Sequence, residues 1–413
     1  MMFQGLLGII ALMALSWGIS ENRKSVNWKT VGAGLMIQLL LALILLKIPL
    51  IKEGFMGINQ VVLALEKAMT AGTAMVFGYL GGGEAPFDIK NPGATFILAF
   101  RALPLVLMVS ALSSLLFYWK ILPYVIRGFS WGLRRTMGVG GAVGVSAAAN
   151  IFVGMVEAPL FIRPYIQHLT RSELFVVMTT GMATVAGTVM ALYAFLLGTV
   201  IPDALGHILV ASIISAPAAI LVAQLMIPST TSSTEGEWTP SSDAASSMDA
   251  ITKGTEDGLK LFLNILAMLI VLVALVHLVN QILGLLPLIQ GEGLTLQKML
   301  GWVMAPVMWL IGIPWDQAFT AGSLMGTKTI LNELIAYIDL SQLPADALDV
   351  KSRLIMLYAM CGFANFGSLG IMIAGLTTMA PERRNEIVSL GMKSILSGTI
   401  ATCMTGAVVG IIY

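Results

Sequence analysis

Two glutamates, Glu157 and Glu333, stand in otherwise apolar stretches of the sequence. A carboxylate within a membrane span is costly, so it marks a binding or proton-relay site by default. The two carboxylates could also form the acid–base pair of an intramembrane enzyme. However, the sequence has no G-x-S-x-G, no H-E-x-x-H and no paired Asp-rich motif to supply a nucleophile or a metal. The pattern therefore favours a solute-binding site and argues against an enzyme.

The composition identifies a membrane protein. The 413 residues are 57% hydrophobic and 11% charged, whereas soluble globular chains carry roughly 25% charged residues. Mean hydropathy is +0.89, which excludes a disordered chain, a coiled coil and an ordinary soluble enzyme. The net charge of +1 gives no indication of a nucleic-acid partner. Two cysteines, three histidines and the lack of a G-x-x-x-x-G-K-[ST] motif indicate no disulfide framework, metal centre, cofactor or ATP site.

Apolar segments of about 20 residues predict an all-α integral membrane protein with eight transmembrane helices. The predicted spans are Met2–Ile19, Val31–Ile51, Thr95–Trp119, Ser172–Leu197, Ala204–Ile227, Leu261–Leu285, Arg353–Met379 and Glu386–Ile412. Three amphipathic segments are predicted to lie in the membrane interface: Lys52–Leu80, Lys120–Met137 and Leu294–Ile313. The Ser- and Thr-rich stretch Pro228–Asp249 is typical of a solvated loop.

Basic loops set the predicted orientation in the lipid bilayer. The loops 21–29 and 381–384 and the segment 120–137 are rich in Arg and Lys, which places them on the cytoplasmic side. Both chain termini then lie outside, and the chain is predicted to be a multi-pass protein of the inner (plasma) membrane. Lys351 and Arg353 fall on the outer side, contrary to the rule.

Two regions resist interpretation as plain spans, residues 138–170 and 314–340. Each has a small-residue first arm, a polar tip and an apolar second arm, which is typical of a re-entrant helical hairpin. Each is followed by a span with small and polar residues near its middle, at 181–188 and 361–368. Paired interrupted segments in two halves indicate an inverted repeat with a transport site at the midplane.

The repeat divides the chain into predicted units. These are scaffold helices 1–137, a first transport repeat 138–203, scaffold helices 204–313 with the polar loop 228–249, a second transport repeat 314–379 and a C-terminal scaffold helix 380–413.

A structural alternative for the two glutamates is that either one only pairs with a basic residue, such as Arg163 or Lys328.

Two motifs make the interpretation specific. Residues 326–337, GTKTILNELIAY, resemble the signature G-x-K-x3-N-E-F-V-A-aromatic of concentrative nucleoside transporters. Residues 150–160, NIFVGMVEAPL, are similar to the first-hairpin motif N-x-x-V-G-Q-[TS]-E-x-P-L of that family. The sequence thus resembles a bacterial member, and the order of the motifs covers nearly the whole chain. The departure is Met155 and Val156, where the family has Gln and Thr or Ser.

The resemblance implies eight spans, two opposed hairpins, three interfacial helices and a homotrimer. It implies cation-coupled nucleoside import by an elevator motion of the hairpin-bearing domain. Carried over by position, Glu333 accepts hydrogen bonds from the ribose hydroxyls, since an ionised carboxylate is acceptor-only and a diol offers two donors. The implied substrate-binding residues are Gly154, Met155, Val156, Glu157, Val189, Asn332, Glu333, Phe363, Asn365 and Ser368.

The resemblance also implies a cation site. Asn150, Thr184 and the carbonyls of Val153 and Val185 would hold a sodium ion, a hard cation suited to oxygen ligands. Asn150 with the Thr184 hydroxyl favours sodium over protons as the coupling ion. Proton-coupled nucleoside symport and transport of another ribosylated solute remain the alternatives.

The departure at Met155 and Val156 leads to a hypothesis about selectivity. Neither side chain can hydrogen-bond the edge of a base, whereas polar contacts discriminate by roughly 10⁴-fold and apolar contacts by about 10–200-fold. We expect altered or broadened base selectivity, which could favour the larger purine ring.

Overall fold

The computed structural model describes residues 2–89, 96–198, 200–230, 234, 243–287 and 293–413. Within these residues the regular structure is helical, with no strand. The α-helices in chain order are α1 Met2–Gly18, α2 Trp28–Lys47, α3 Pro49–Phe77, α4 Leu98–Arg101, α5 Leu105–Tyr118, α6 Ile121–Met137, α7 Gly141–Ala149, α8 Glu157–Leu160, α9 Arg163–Ile166, α10 Arg171–Ala183, α11 Gly187–Leu197, α12 Ala204–Met226, α13 Ser247–Leu283, α14 Leu296–Leu310, α15 Trp315–Ile330, α16 Glu333–Gln342, α17 Val350–Met360, α18 Phe366–Met379 and α19 Arg384–Ile412. Residues 231–233 and 235–242 of the predicted polar loop lie outside the described residues.

The helices confirm the all-α membrane fold and its predicted spans. Described segments long and apolar enough to cross a bilayer are Trp28–Lys47, Leu98–Tyr118, Arg171–Leu197, Ala204–Met226, Ser247–Leu283 and Pro381–Ile412. Two shorter apolar helices account for the remaining predicted spans: Phe3–Gly18 matches Met2–Ile19, and Phe366–Met379 is the second half of Arg353–Met379. The predicted span Leu261–Leu285 is longer than expected, because its charged lead-in continues as one helix from Ser247.

Two spans are interrupted where the sequence predicts breaks. α10 ends at Ala183 and α11 begins at Gly187, while α17 ends at Met360 and α18 begins at Phe366. The two breaks touch, since the Phe363 amide donates a 3.3 Å hydrogen bond to the Thr184 carbonyl. This contact satisfies a backbone carbonyl that the interrupted helix leaves free at membrane depth.

The hairpins differ in regularity. In the second, α15 and α16 are joined by only Leu331 and Asn332. In the first, α7 is regular, but the returning arm consists of the two four-residue helices α8 and α9. Pro159 and Pro164 lie in these short helices, and proline lacks the amide that a longer helix needs.

The buried centre of the molecule consists of α10, α11, α12 and α19, whereas α13 lies at its periphery. The apolar windows of Arg171–Leu197 and Ala204–Met226 are each 89% buried, and that of Ser247–Leu283 is 6% buried. α12 is rich in Ala and Ser, which lets neighbouring helices approach closely. The first break therefore lies within the buried centre.

Arg353, an apparent exception to the charge rule, is a buried structural residue. Its guanidinium donates hydrogen bonds to the carbonyls of Leu340, Leu343, Pro344 and Leu348. These carbonyls lie at the end of α16 and in the following loop, so Arg353 satisfies acceptors that a helix end leaves unpaired.

Candidate functional site

A cavity of about 470 Å³ lies between the hairpin tips, the broken helices and α13. The structure brings all ten predicted substrate-binding residues to its wall: Gly154, Met155, Val156, Glu157, Val189, Asn332, Glu333, Phe363, Asn365 and Ser368. They come from four segments spread over 215 positions of the sequence, from 154 to 368. Their binding roles remain a prediction.

Glu333 is buried and is held at both carboxylate oxygens. Oε1 accepts a 2.6 Å hydrogen bond from the Tyr193 hydroxyl, and Oε2 accepts a 2.9 Å bond from the Asn365 amide. A carboxylate offers about four lone-pair sites, so two remain open to further donors. Glu333 also begins α16, where the helix dipole favours a negative charge. The arrangement can present an oriented anionic acceptor to the cavity.

The two asparagines beside Glu333 act as helix caps. The Asn332 side chain accepts a 2.9 Å bond from the Ile335 amide at the start of α16. The Asn365 side chain accepts a 2.7 Å bond from the Ser368 amide at the start of α18. Each cap uses the carbonyl oxygen of its amide, and Asn365 also uses its NH₂ group on Glu333. Capping fixes both side chains at the cavity edge.

Glu157 lies at the opposite hairpin tip and faces the cavity. Its carboxylate folds back over Gly154, where any side chain would overlap Oε2 of Glu157. Asp257 of α13 lies within electrostatic range of the Glu157 carboxylate. Within the described residues, neither Glu157 nor Glu333 forms an ion pair with Arg163 or Lys328. The described structure therefore gives no support to ion pairing of either glutamate with these two residues.

Met155 and Val156 fill the wall between the two broken helices. A Cβ on Gly181 of α10 would lie 3.0 Å from the Met155 Cβ, and a Cβ on Gly375 of α18 would lie 2.8 Å from Val156 Cγ1. Because these two residues have no side chain, Met155 and Val156 can pack closely against α10 and α18. This part of the cavity offers apolar contact and no hydrogen-bonding group.

Sequence reasoning missed the wall that α13 contributes. Its cavity-lining residues recur every three or four positions, so they form one helix face: Asp257, Lys260, Leu261, Asn264, Ile265, Met268 and Leu272. The polar members lie at the N-terminal end of this face, where Lys260 and Asp257 form an ion pair of 3.3 Å. The spacing was visible in the sequence, but it also fits a helix that lies in the membrane interface.

Tyr193 and Thr188 were also missed. Both lie on α11, on the cavity wall beside the predicted residue Val189. Tyr193 is a buried tyrosine in an apolar helix, and such a residue is usually a packing residue with one hydrogen bond. Only its contact with Glu333 distinguishes it.

The predicted cation ligands gather behind hairpin 1, away from the cavity. The Asn150 amide lies 3.4 Å from the Thr180 hydroxyl, and the Thr184 hydroxyl donates to the Thr180 carbonyl at 2.8 Å. Oδ1 of Asn150 is buried and has no hydrogen-bond partner among the described residues. Thr180, which sequence reasoning missed, orients Asn150.

The backbone supplies two further oxygens to this region. Among the described residues, the carbonyls of Val153 and Val185 accept no hydrogen bond, although the neighbouring carbonyls of Phe152 and Thr184 do. Together with the free Oδ1 of Asn150, these carbonyls are oxygens of the kind that a hard cation prefers, and their role as ligands remains a prediction. The described residues contain no cluster of three His, Cys, Asp or Glu that could hold a transition metal.

Family models match three parts of the chain. "Na+ dependent nucleoside transporter C-terminus" matches residues 207–410, and the corresponding N-terminus model matches residues 7–80. "Gate: Nucleoside recognition" matches residues 99–200. The matches thus include both hairpins, both broken helices and most of the spans.

Similar proteins match over almost the full length. An uncharacterized transporter of Bacillus subtilis, YutK, is 38% identical over 98% of each chain. The nucleoside permease NupC of Helicobacter pylori is 34% identical over 98% of this chain and 96% of its own. Among solved structures, CNTnw in an inward-facing substrate-bound state superposes with a TM-score of 0.90 at 34% identity, covering 100% of this chain and 98% of that one. An outward-facing state of a CNTnw variant also has a TM-score of 0.90, at 33% identity, covering 100% of this chain and 97% of that one.

Proposed function

Because the chain belongs to the concentrative nucleoside transporter family, we propose that it imports nucleosides across the bacterial inner membrane by symport with sodium. The observation that carries the proposal concerns Glu333. Its buried carboxylate accepts hydrogen bonds from two side chains and lies at the wall of a cavity of about 470 Å³. The family members are transporters, and the chain is not an enzyme.

The ribose end of the site has matching chemistry. Two hydroxyls on adjacent ribose carbons donate hydrogen bonds, and the open lone pairs of Glu333 accept them. Bonds to an ionised acceptor are stronger than neutral ones, more so where water is excluded. Asn332, Asn365 and Ser368 line the same wall and complete the ribose site.

Sodium coupling is supported by the donor set around Asn150. The set lies in hairpin 1 and the first break, and the Gly187 amide bonds to the Phe152 carbonyl at 3.0 Å across the two elements. An ion bound there would hold hairpin 1 and the first broken helix together. The cation thereby orders the wall that carries Val189 and Met155, and its binding favours substrate binding by linkage.

The cavity residues that would contact the nucleobase support altered base selectivity. Met155 and Val156 give a base apolar contact only, while Lys260 and Asn264 on α13 provide polar groups on the same cavity. A purine gains more from the apolar wall because of its larger ring area. We infer a preference for purine nucleosides, with the base edge facing α13.

Transport follows from alternating access, which relatives display as inward-facing and outward-facing structures. We propose an elevator motion of the hairpins and broken helices against the scaffold helices of the predicted units. The family resemblance also leads us to propose a homotrimer, which light scattering of the detergent-solubilised protein tests.

The decisive experiment is uptake of labelled uridine and guanosine into vesicles with an inward sodium gradient, and with choline in place of sodium. Sodium-driven accumulation that Glu333→Gln abolishes is the expected result. Accumulation driven only by a pH gradient would replace sodium by protons and would make Glu157 the candidate proton site. No accumulation of either nucleoside under any gradient would overturn the proposal in favour of another ribosylated solute.

A further inference from the structure

The second repeat contains a buried cation that the proposed mechanism does not use. Lys328, in the last turn of α15, is fully buried. In the part of the chain that the structure describes, its Nζ has no hydrogen-bond partner and no carboxylate within 4 Å. Burying an unpaired ammonium is strongly unfavourable, so its retention calls for a reason beyond packing.

The surroundings of Lys328 place it between hairpin 2 and the second broken helix. Lys328 lies in the last turn of α15, and α15 packs against α16 of the same hairpin and against α17 and α18 of the broken helix. Lys328 therefore lies where the first arm of hairpin 2 meets the second broken helix.

The first repeat has a corresponding place. Each repeat consists of a hairpin, a broken helix and a continuous span: α7–α9, α10–α11 and α12 in the first, and α15–α16, α17–α18 and α19 in the second. Asn150 ends the first arm of hairpin 1 and contacts Thr180 of the broken helix. The carbonyl of the next residue, Ile151, accepts a 3.4 Å bond from Ser212 of the following span. Asn150 thus lies where hairpin 1 meets the first broken helix, as Lys328 lies where hairpin 2 meets the second.

The two places carry complementary unpartnered groups. In the first repeat, Oδ1 of Asn150 is a buried acceptor without a hydrogen-bond partner among the described residues, so it can accept a cation. In the second repeat, Nζ of Lys328 is a buried cation without such a partner. We propose that the Lys328 ammonium is a tethered cation that occupies, in the second repeat, the place that sodium takes beside Asn150 in the first.

This inference rests on the proposed sodium coupling and explains a difference between the repeats. A fixed positive charge near Glu333 favours the ionised carboxylate permanently, since charges interact strongly in a low-dielectric interior. In the first repeat the charge arrives and leaves with the ion. The chain would then couple transport to a single mobile cation although it has two repeats.

Replacing Lys328 by an oxygen ligand tests the inference. Lys328→Asn removes the ammonium group and supplies an amide oxygen, so we expect a second sodium ion to bind where the ammonium group lay. The Hill coefficient for sodium in nucleoside uptake should rise from about 1 towards 2, since it is limited by the number of sites. The charge moved per nucleoside in proteoliposomes should rise by one. Lys328→Met, which supplies neither charge nor ligand, should lose transport at every sodium concentration.

The controls separate the possible failures. Thr329→Val alters the adjacent residue, whose hydroxyl bonds only within its own helix to Met325, and should leave the sodium dependence unchanged. Lys328→Asn with the single-site sodium dependence and charge ratio of the wild type would overturn the inference, as would Lys328→Met with full transport. A wild type without sodium-driven uptake would instead overturn the proposed function.

Lys328→Ser provides a second test if Lys328→Asn folds poorly. Lys328→Ser supplies a hydroxyl and more room, and its melting temperature can be measured in sodium and in choline without any transport. A steeper sodium dependence of stability than that of Thr329→Val supports the tethered cation. An identical dependence, or a protein that does not fold in sodium, counts against it.

Discussion

The hydroxyl of Tyr193 donates a 2.6 Å hydrogen bond to Oε1 of Glu333, across 140 positions of sequence. Tyr193 lies on the second half of the first broken helix, and Glu333 begins the second arm of hairpin 2. The bond therefore joins the two repeats at the predicted ribose-binding carboxylate. It fixes the orientation in which Glu333 meets the cavity.

Tyr193→Phe should weaken nucleoside binding. A hydrogen bond to a charged group contributes about 1.5–3 kcal/mol, so KM should rise by about tenfold to a hundredfold. Initial rates of uptake over a range of nucleoside concentrations measure this. Tyr337→Phe is the matched control, because its ring lies 5.1 Å from that of Tyr193 but its hydroxyl bonds to the Leu357 carbonyl. Equal KM values for the two variants would contradict the assignment.

Met155→Gln combined with Val156→Thr should change base selectivity. The new side chains can hydrogen-bond a base edge, so the guanosine-to-uridine uptake ratio should shift by at least about tenfold. The half-saturating sodium concentration should stay as in the wild type, since Asn150 and Thr184 lie behind the hairpin. An unchanged ratio would end the idea that these two residues set selectivity.

Lys260 on α13 should contribute to substrate binding although it lies outside the sequence motifs. Lys260→Leu removes a donor from the cavity wall and should raise KM more for guanosine than for uridine, because guanine carries an additional acceptor. Lys253→Leu is the matched control on the same helix, since Lys253 pairs with Asp249 and does not line the cavity. The same effect from both variants would refute a role for this face of α13.

Thr184→Val should weaken sodium binding. It removes the hydroxyl that is a predicted oxygen ligand of the ion, and it frees the Thr180 carbonyl. We expect the half-saturating sodium concentration to rise by about tenfold, the equivalent of one modest ligand interaction. Thr179→Val on the same helix is the control, because its hydroxyl lies 2.8 Å from Ser397 of α19. If only Thr179→Val altered sodium affinity, the predicted ion site would be misplaced.

Glu21 should make stability depend on acid pH. It lies in the loop after α1, where Arg171 at 2.9 Å and Lys393 at 2.6 Å lower its pKa from 4.5 to about 2. A lowered pKa in the folded state stabilises the protein above the unfolded value of 4.5, and this stabilisation is lost as pH falls from 4.5 towards 2.

Thermal unfolding in detergent tests the effect. The wild type should exceed Glu21→Gln in melting temperature at neutral pH, and the difference should shrink below about pH 4.5 as the carboxylate protonates. Asp346→Asn, at an exposed loop carboxylate, is the control. A difference that is independent of pH would exclude the ion pairs as its source.

The sequence by itself determined the class, the spans and ten of the residues that line the cavity. Apolar length is enough to predict a membrane helix, because the bilayer sets one thickness for all spans. The paired glutamates and the small-residue breaks indicate the two hairpin repeats, since both features are costly in lipid without a function. Glu333 and Asn332 were found because they lie side by side in a motif that resembles the family signature.

Only the tertiary structure decided which distant side chains meet. Tyr193 and Thr180 have ordinary helix positions, and their roles depend on partners that reach them by packing. The α13 face was missed because an apolar stripe looks the same whether it faces lipid, the interface or a cavity. Lys328 is a motif residue in the sequence, but only the folded interior shows that its Nζ has no hydrogen-bond partner among the described residues. Periodicity fixes which residues share a face, whereas packing alone fixes what that face touches.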